Sequence, residues 1–212
     1  RRWLAGYNEI SLALTHGTFD HRARFLQARF LHRAGRVTDA EAAYRRALEA
    51  HPNYAHTHHN LGGIYAAQKK WTKAIPSYLR ALEIRPNYFQ ARIHLGNAYV
   101  ATGRLDAAAR TFETVLRNSP ESAEAHGNLG AVHLHLSDLD RAIVELREAI
   151  RFRPDYAEAY NNLAYAYEQT GRYREAVSAY EGLLQHWKGD AAYRETVRRH
   201  LEALGSRLTP EE

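Results

Sequence analysis

The chain has 212 residues, of which 45% are hydrophobic and 25% charged, with 14 Tyr, only 6 Pro and no Cys. That balance excludes a disordered or low-complexity chain, and the missing cysteine excludes disulfides and thiolate-held metal or redox centres. A net charge of +5 and a pI near 9.4 favour acidic partners without choosing among them, and no segment approaches the roughly 18 consecutive apolar residues of a membrane span.

Residues 1–20 come first. Trp3, Gly6, Ile10 and Ala13 stand 34 positions before Val37, Ala40, Tyr44 and Ala47, so residues 1–16 read as the second helix of a truncated unit, followed by a linker, with further chain expected before Arg1. No apolar run of a secretory signal opens the chain, and any leader or anchor would lie outside it. A cytoplasmic location is the expectation, with an extracytoplasmic one left open.

Five full units follow, over residues 21–54, 55–88, 89–122, 123–156 and 157–190. Pro52, Pro86, Pro120 and Pro154 recur at that same step. Other columns keep it too, among them Ala40, Ala74, Ala108, Ala142 and Ala176, and Tyr44, Tyr78, Phe112, Leu146 and Tyr180. A small-residue column, Ala28, Gly62, Gly96, Gly130 and Ala164, marks where helices must approach closely.

Within each unit the spacing predicts two helices. His58, Leu61, Gly62 and Tyr65 fall at i, i+3, i+4 and i+7 on one face of a first helix. That helix stops near Gly35, Gly103 and Gly171, where a residue without Cβ enters the left-handed conformation, although Lys69 and Ser137 hold the same column elsewhere. Thr38, Thr72, Asp106 and Asp140 are predicted N-caps of the second helices, which run to the prolines. Pro76 falls inside its helix, where it removes one hydrogen bond and bends the first turn. After Lys188, in place of the next proline, residues 190–204 of the closing segment 191–212 predict a capping helix. Its apolar side carries Tyr193, Val197, Leu201 and Leu204, and the tail from Leu208 is expected to fray.

The run Asn162-Leu163-Ala164-Tyr165-Ala166-Tyr167 with Gly171-Arg172-Tyr173 and Glu175-Ala176, and the run Asn60-Leu61-Gly62-Gly63-Ile64-Tyr65, resemble the tetratricopeptide repeat (TPR) family. The resemblance implies an all-α fold, an α-solenoid of helix-turn-helix repeats wound into a right-handed superhelix. The first unit departs from the family pattern, with Arg24 and Gln27 where large apolar residues belong, so Phe25, Ala28 and Leu31 must supply its packing.

No phosphate-binding glycine loop, Gly-x-Ser-x-Gly elbow or His-Glu-x-x-His run is present, and the carboxylates occupy surface columns, so no enzyme activity and no cofactor are expected. Of the 13 His, those at 58, 126 and 133 fall on packing columns as satisfied, half-buried rings, whereas His56, His59, His94 and His135 are expected to face the groove. With no Cys and no carboxylate at matching spacing, no metal site is expected.

The column Leu26, Asn60, His94, Asn128 and Asn162 is similar to the inner asparagine ladder of O-GlcNAc-transferase-type TPR arrays, a resemblance that places it on the concave surface. An amide both donates and accepts, so such a ladder can pair with the backbone of an extended peptide whatever its side chains. Asn97, Asn161 and Tyr165 border the same expected surface, and Arg22, Arg29, Arg33, His56 and His59 give it a basic beginning. A carboxylate-clamp subtype is disfavoured, because His59, Ile93 and Gly127 stand where it needs Lys.

Residues 1–122 carry 18 basic and 9 acidic side chains, whereas residues 123–212 carry 11 and 15. Glu124 and Glu158 stand in the column of Arg22 and His56, and Glu168 adds a further carboxylate to the later units, so a partner segment is expected to lie with an acidic stretch on the N-terminal half. The leading expectation is a non-catalytic scaffold that binds an extended or helical protein segment in its groove. Two alternatives stand beside it: the substrate-recruiting part of a larger enzyme or membrane-anchored protein, and nucleic-acid binding through the basic half. The last is disfavoured, because Arg45, Arg46, Arg80 and Arg110 face outward without aromatic stacking platforms.

Overall fold

The computed structural model describes residues 21–205, and among them eleven α-helices and no strand. The helices are α1 (His21–Arg33), α2 (Val37–Ala50), α3 (Ala55–Ala67), α4 (Trp71–Ile84), α5 (Phe89–Ala101), α6 (Leu105–Asn118), α7 (Ala123–His135), α8 (Leu139–Phe152), α9 (Ala157–Gln169), α10 (Tyr173–His186) and α11 (Ala191–Gly205). The expected helix within residues 1–16 and the tail beyond Gly205 lie outside the described residues. The chain forms two compact units, Arg1–Ala98 and Tyr99–Glu212.

Helices joined by short turns pack as antiparallel pairs, and the turns share one backbone solution. Gly35, Lys69, Gly103, Ser137 and Gly171 all take positive φ, between 56° and 75°. The next residue's N–H then reaches back five positions, as in Arg36 to the Leu31 carbonyl at 2.9 Å, Lys70 to Tyr65 at 2.8 Å and Asp138 to His133 at 2.9 Å. This is the Schellman closure, which satisfies carbonyls that the helix end leaves open.

That closure also corrects the expected N-caps. The turn uses so few residues that the second helices begin at Val37, Trp71, Leu105 and Leu139, which makes Thr38, Thr72, Asp106 and Asp140 the second helical residue in each. The capping positions are Arg36, Lys70, Arg104 and Asp138, and of these only Asp138 accepts a backbone N–H through its side chain. Helix α4 continues through Pro76.

In the first unit, Phe25, Ala28 and Leu31 of α1 are buried together with Ala40, Tyr44 and Ala47 of α2, the packing that the sequence assigns to them. Leu61, Ile64 and Tyr65 of α3 do the same with Ala74, Tyr78 and Ala81 of α4. Small residues are needed at the crossings: a Cβ on Gly62 would lie 2.6 Å from the Tyr78 ring. In the second unit a Cβ on Gly130 would lie 2.6 Å from Leu146 Cγ. Helix α11 closes that unit with Val197 and Leu204 buried and Tyr193 and Leu201 half-buried.

Two further devices tie one hairpin to the next. A tyrosine placed two residues after a repeat proline docks on a residue of the preceding first helix. Tyr54 meets Phe25 edge-on with ring centroids 5.2 Å apart, Tyr88 meets His59 at 4.8 Å, and the Tyr156 ring fills the space that a Cβ on Gly127 would take. A side chain six residues after the proline bonds its carbonyl: His58 at 2.8 Å from Pro52 O, Arg92 donating to Pro86 O at 2.6 Å, and His126 at 2.9 Å from Pro120 O. Each bond satisfies an acceptor that the proline turn leaves outside the helix ladder.

Candidate partner-binding groove

The first unit holds a cavity of about 610 Å³ whose walls come from three places. Helix α1 supplies Arg22, Phe25, Leu26 and Arg29, which share one helical face. Helix α3 supplies His56, His59 and Asn60, and Tyr54, Tyr88 and Gln90 close the remaining side. Of the groove residues expected from sequence, Arg22, Arg29, His56, His59 and Asn60 are therefore brought together here. Arg33, His94 and Asn97 are exposed in the same unit but do not line the cavity.

His59 lines the cavity from a more buried position than the other groove residues expected from sequence. It is only 8% exposed, its Nε2 lies 2.9 Å from His94 Nδ1, and its Nδ1 lies 3.1 Å from the Tyr88 hydroxyl. Its column reads Phe25, His59, Ile93, Gly127 and Asn161, so the position is one of packing between repeats and the ring forms part of the cavity floor. Burial, then the neighbouring His94 and His56, pushes its pKa down to about 4, so the ring is neutral at pH 7. His56 stands among Phe25, Tyr54 and Tyr88 at centroid distances of 6.2, 5.4 and 5.1 Å, and burial together with Arg85 and Arg29 lowers its pKa too.

Sequence reasoning misses the aromatic floor. Its signal is there, because Tyr54, Tyr88 and Tyr156 each follow a repeat proline by two residues. Gln90 belongs to the column of Arg22 and His56, and Leu26, 40% exposed, begins the column of Asn60.

In the second unit Asn128 and Asn162 are half-buried, and among the described residues neither side chain makes a hydrogen bond. Asn60 in the first unit is the same. Tyr165 is 49% exposed. Asn161 is half-buried like Asn162 but engaged within the fold: its Oδ1 accepts the Tyr193 hydroxyl of α11 at 2.7 Å. Glu168 is likewise engaged within the fold, accepting from the Tyr180 hydroxyl at 2.6 Å and lying 2.9 Å from His200 Nε2. His58 and His126 have the partners expected of packing histidines, but buried His133 leaves Nδ1 without a partner among the described residues.

Of the outward arginines, Arg45 bonds Glu41 and the Tyr65 hydroxyl, and Arg80 bonds Glu83 and Asn53, which leaves a weak basis for a nucleic-acid face. No described helix is long and apolar enough to cross a membrane.

Helical hairpins repeated at one fixed step, locked by shared turns and inter-repeat aromatics, define a helical repeat protein. Three sequence profiles of the tetratricopeptide repeat match, at residues 21–87 and 53–121, 94–155 and 133–199, and the chain belongs to the tetratricopeptide repeat family. No curated protein shows significant similarity to it. Among solved structures it is similar to YrrB, a TPR protein with an unusual peptide-binding site, with 17% identity, a TM-score of 0.72, and coverage of 90% of this chain and 97% of that one. It also resembles MamA (26% identity, TM-score 0.70, 75% of this chain and 93% of that one). A third similar structure is PilF of Pseudomonas aeruginosa (19% identity, TM-score 0.77, 88% and 84%). The fold and these neighbours support a protein-interaction scaffold.

Proposed function

We propose that this protein is a non-catalytic scaffold whose first unit binds an extended or helical segment of a partner protein, with acidic side chains, in the groove between α1 and α3. The observation that carries the reading is the composition of that groove. Among the described residues its lining has two arginines, two histidines, one asparagine with an uncommitted amide and no carboxylate. An uncommitted amide suits a peptide backbone, and a cationic rim over an aromatic floor suits carboxylates linked to apolar side chains. Asn128, Asn162 and Tyr165 offer the second unit the same chemistry. A role as the recruiting part of a larger protein is a variant of this reading.

A displayed library of random dodecapeptides tests it. Selection on the protein should enrich Asp and Glu, and binding of the selected peptides should fall at least tenfold with Arg29→Glu and several-fold with Asn60→Ala. The exposed Arg110→Glu in α6 should leave binding unchanged. Peptides indifferent to the first two changes would overturn the reading.

A further inference from the structure

The groove has a more specific anchor, an inference that rests on the reading above. His56 stands at the centre of three rings, 6.2 Å from Phe25, 5.4 Å from Tyr54 and 5.1 Å from Tyr88 by centroids. Two of those rings carry a guanidinium on their faces: Arg29 lies 5.7 Å from the Phe25 centroid and Arg85 lies 5.5 Å from that of Tyr88. A ring face orients a cation and keeps its charge where it is held. Two positive groups thus flank a half-buried imidazole in a cavity whose lining, among the described residues, holds no acid.

We propose that the space between Arg29 and His56 is a carboxylate subsite, which receives a Glu or Asp side chain of the bound segment together with a proton taken up by His56. The geometry supplies a guanidinium that can pair with the carboxylate and an imidazole whose ring N–H can complete its hydrogen bonding. The titratable and charged groups around His56 are Arg22 and Arg29 from α1, Tyr54 and His59 from its own segment, Arg85 and Tyr88 from the connection after α4, and His94 from α5 behind His59. None is an acid. In the free groove, burial and then the charges of Arg85 and Arg29 keep His56 neutral at pH 7. An incoming carboxylate offsets those charges and favours the imidazolium, so the pKa rises on binding. Affinity must then increase as pH falls, by linkage, and a rise of about one unit makes binding about tenfold tighter below the free-state pKa.

Proton NMR of the His56 ring, followed from pH 4 to 8 with and without hexaglutamate blocked at both ends, is the test. The His56 midpoint should rise by about one unit with saturating hexaglutamate, stay put with hexaglutamine, and lose its response in Arg29→Gln. Exposed His32, on the far end of α1, reports the general effect of adding a polyanion. An unmoved His56 midpoint, an equal shift at His32, or a shift that survives Arg29→Gln overturns the proposal. The two readings fail separately. Selected peptides that need Arg29 and Asn60 but bind without moving His56 sink the subsite and leave the groove, whereas peptides indifferent to both residues sink the groove.

Discussion

His59 and His94 face each other across successive repeats, with Nε2 of one 2.9 Å from Nδ1 of the other and ring planes inclined by 14° at a centroid distance of 4.9 Å. With the Tyr88 hydroxyl on its other nitrogen, His59 is fully partnered as a neutral ring. Its folded pKa, about 4, lies below the unfolded value near 6.5, so protonation favours unfolding. Stability is fully present above about pH 6.5 and is lost progressively as pH falls toward 4, by about 2 kcal/mol between pH 7 and 5. Urea unfolding at the two pH values should show this loss, and His59→Phe, which copies Phe25 of the same column, should reduce it.

His126 should act in the opposite sense. Burial opposes its charge, but the hydrogen bond with Glu145 at 2.6 Å, the Pro120 carbonyl and the charges of Glu145 and Glu148 outweigh it, and the pKa is raised. The pair's contribution is present below the unfolded pKa and disappears as pH rises through the raised folded value. His126→Gln should therefore destabilise more at pH 6 than at pH 8.5, and an equal loss at both would contradict the ion pair.

Lys69 and Ser137 hold φ of 56° and 59° in turns where glycine stands elsewhere. Lys69→Gly and Ser137→Gly should each raise stability by about 0.5–1 kcal/mol, because the left-handed strain exceeds the entropy glycine adds to the unfolded chain. Thermal unfolding of each variant measures it.

Gly130→Ala and Gly63→Ala should differ in sign when their unfolding free energies are measured. The new methyl at position 130 would lie 2.6 Å from Leu146 Cγ and 3.3 Å from the Ala142 carbonyl, where the backbone cannot yield, and should cost about 1–3 kcal/mol. At position 63 nothing lies within 4 Å, so the gain in helix propensity should stabilise by up to about 1 kcal/mol.

The neighbouring amides Asn161 and Asn162 separate structure from recognition. Asn161→Ala leaves the Tyr193 hydroxyl without its acceptor and should cost about 1 kcal/mol in unfolding experiments, whereas Asn162→Ala should leave stability unchanged.

The constant step from Pro52 to Pro86 and onward makes the hairpins legible in the sequence, because Pro, Ala and small-residue columns answer to helix ends and crossings that every repeat shares. The caps are misplaced by sequence since Thr and Asp are also favourable in a first turn, and only the backbone closure at the preceding residue decides where that turn begins. Residue type sends His59 to the groove, and it does line the cavity, but only Phe25 and Ile93 in its column signal how deeply it packs. Asn161 and Glu168 escape for another reason: their partners, Tyr193 and His200, are polar side chains of α11 in columns that hold Ala159 and Ala166 one period earlier. Periodicity cannot announce a contact made only once.

The tyrosine that docks on the preceding first helix has a consequence for how such a chain can change length. Tyr54 on Phe25, Tyr88 on His59 and Tyr156 on Gly127 each form a clasp confined to one period and its threshold. Excising or duplicating whole periods hands every clasp an equivalent counterpart, so recombination in that unit conserves the joints. A single residue added between Phe25 and Tyr54 does the reverse, carrying the ring past its seat. The clasp thus acts as a ruler for the genetic events the array can survive.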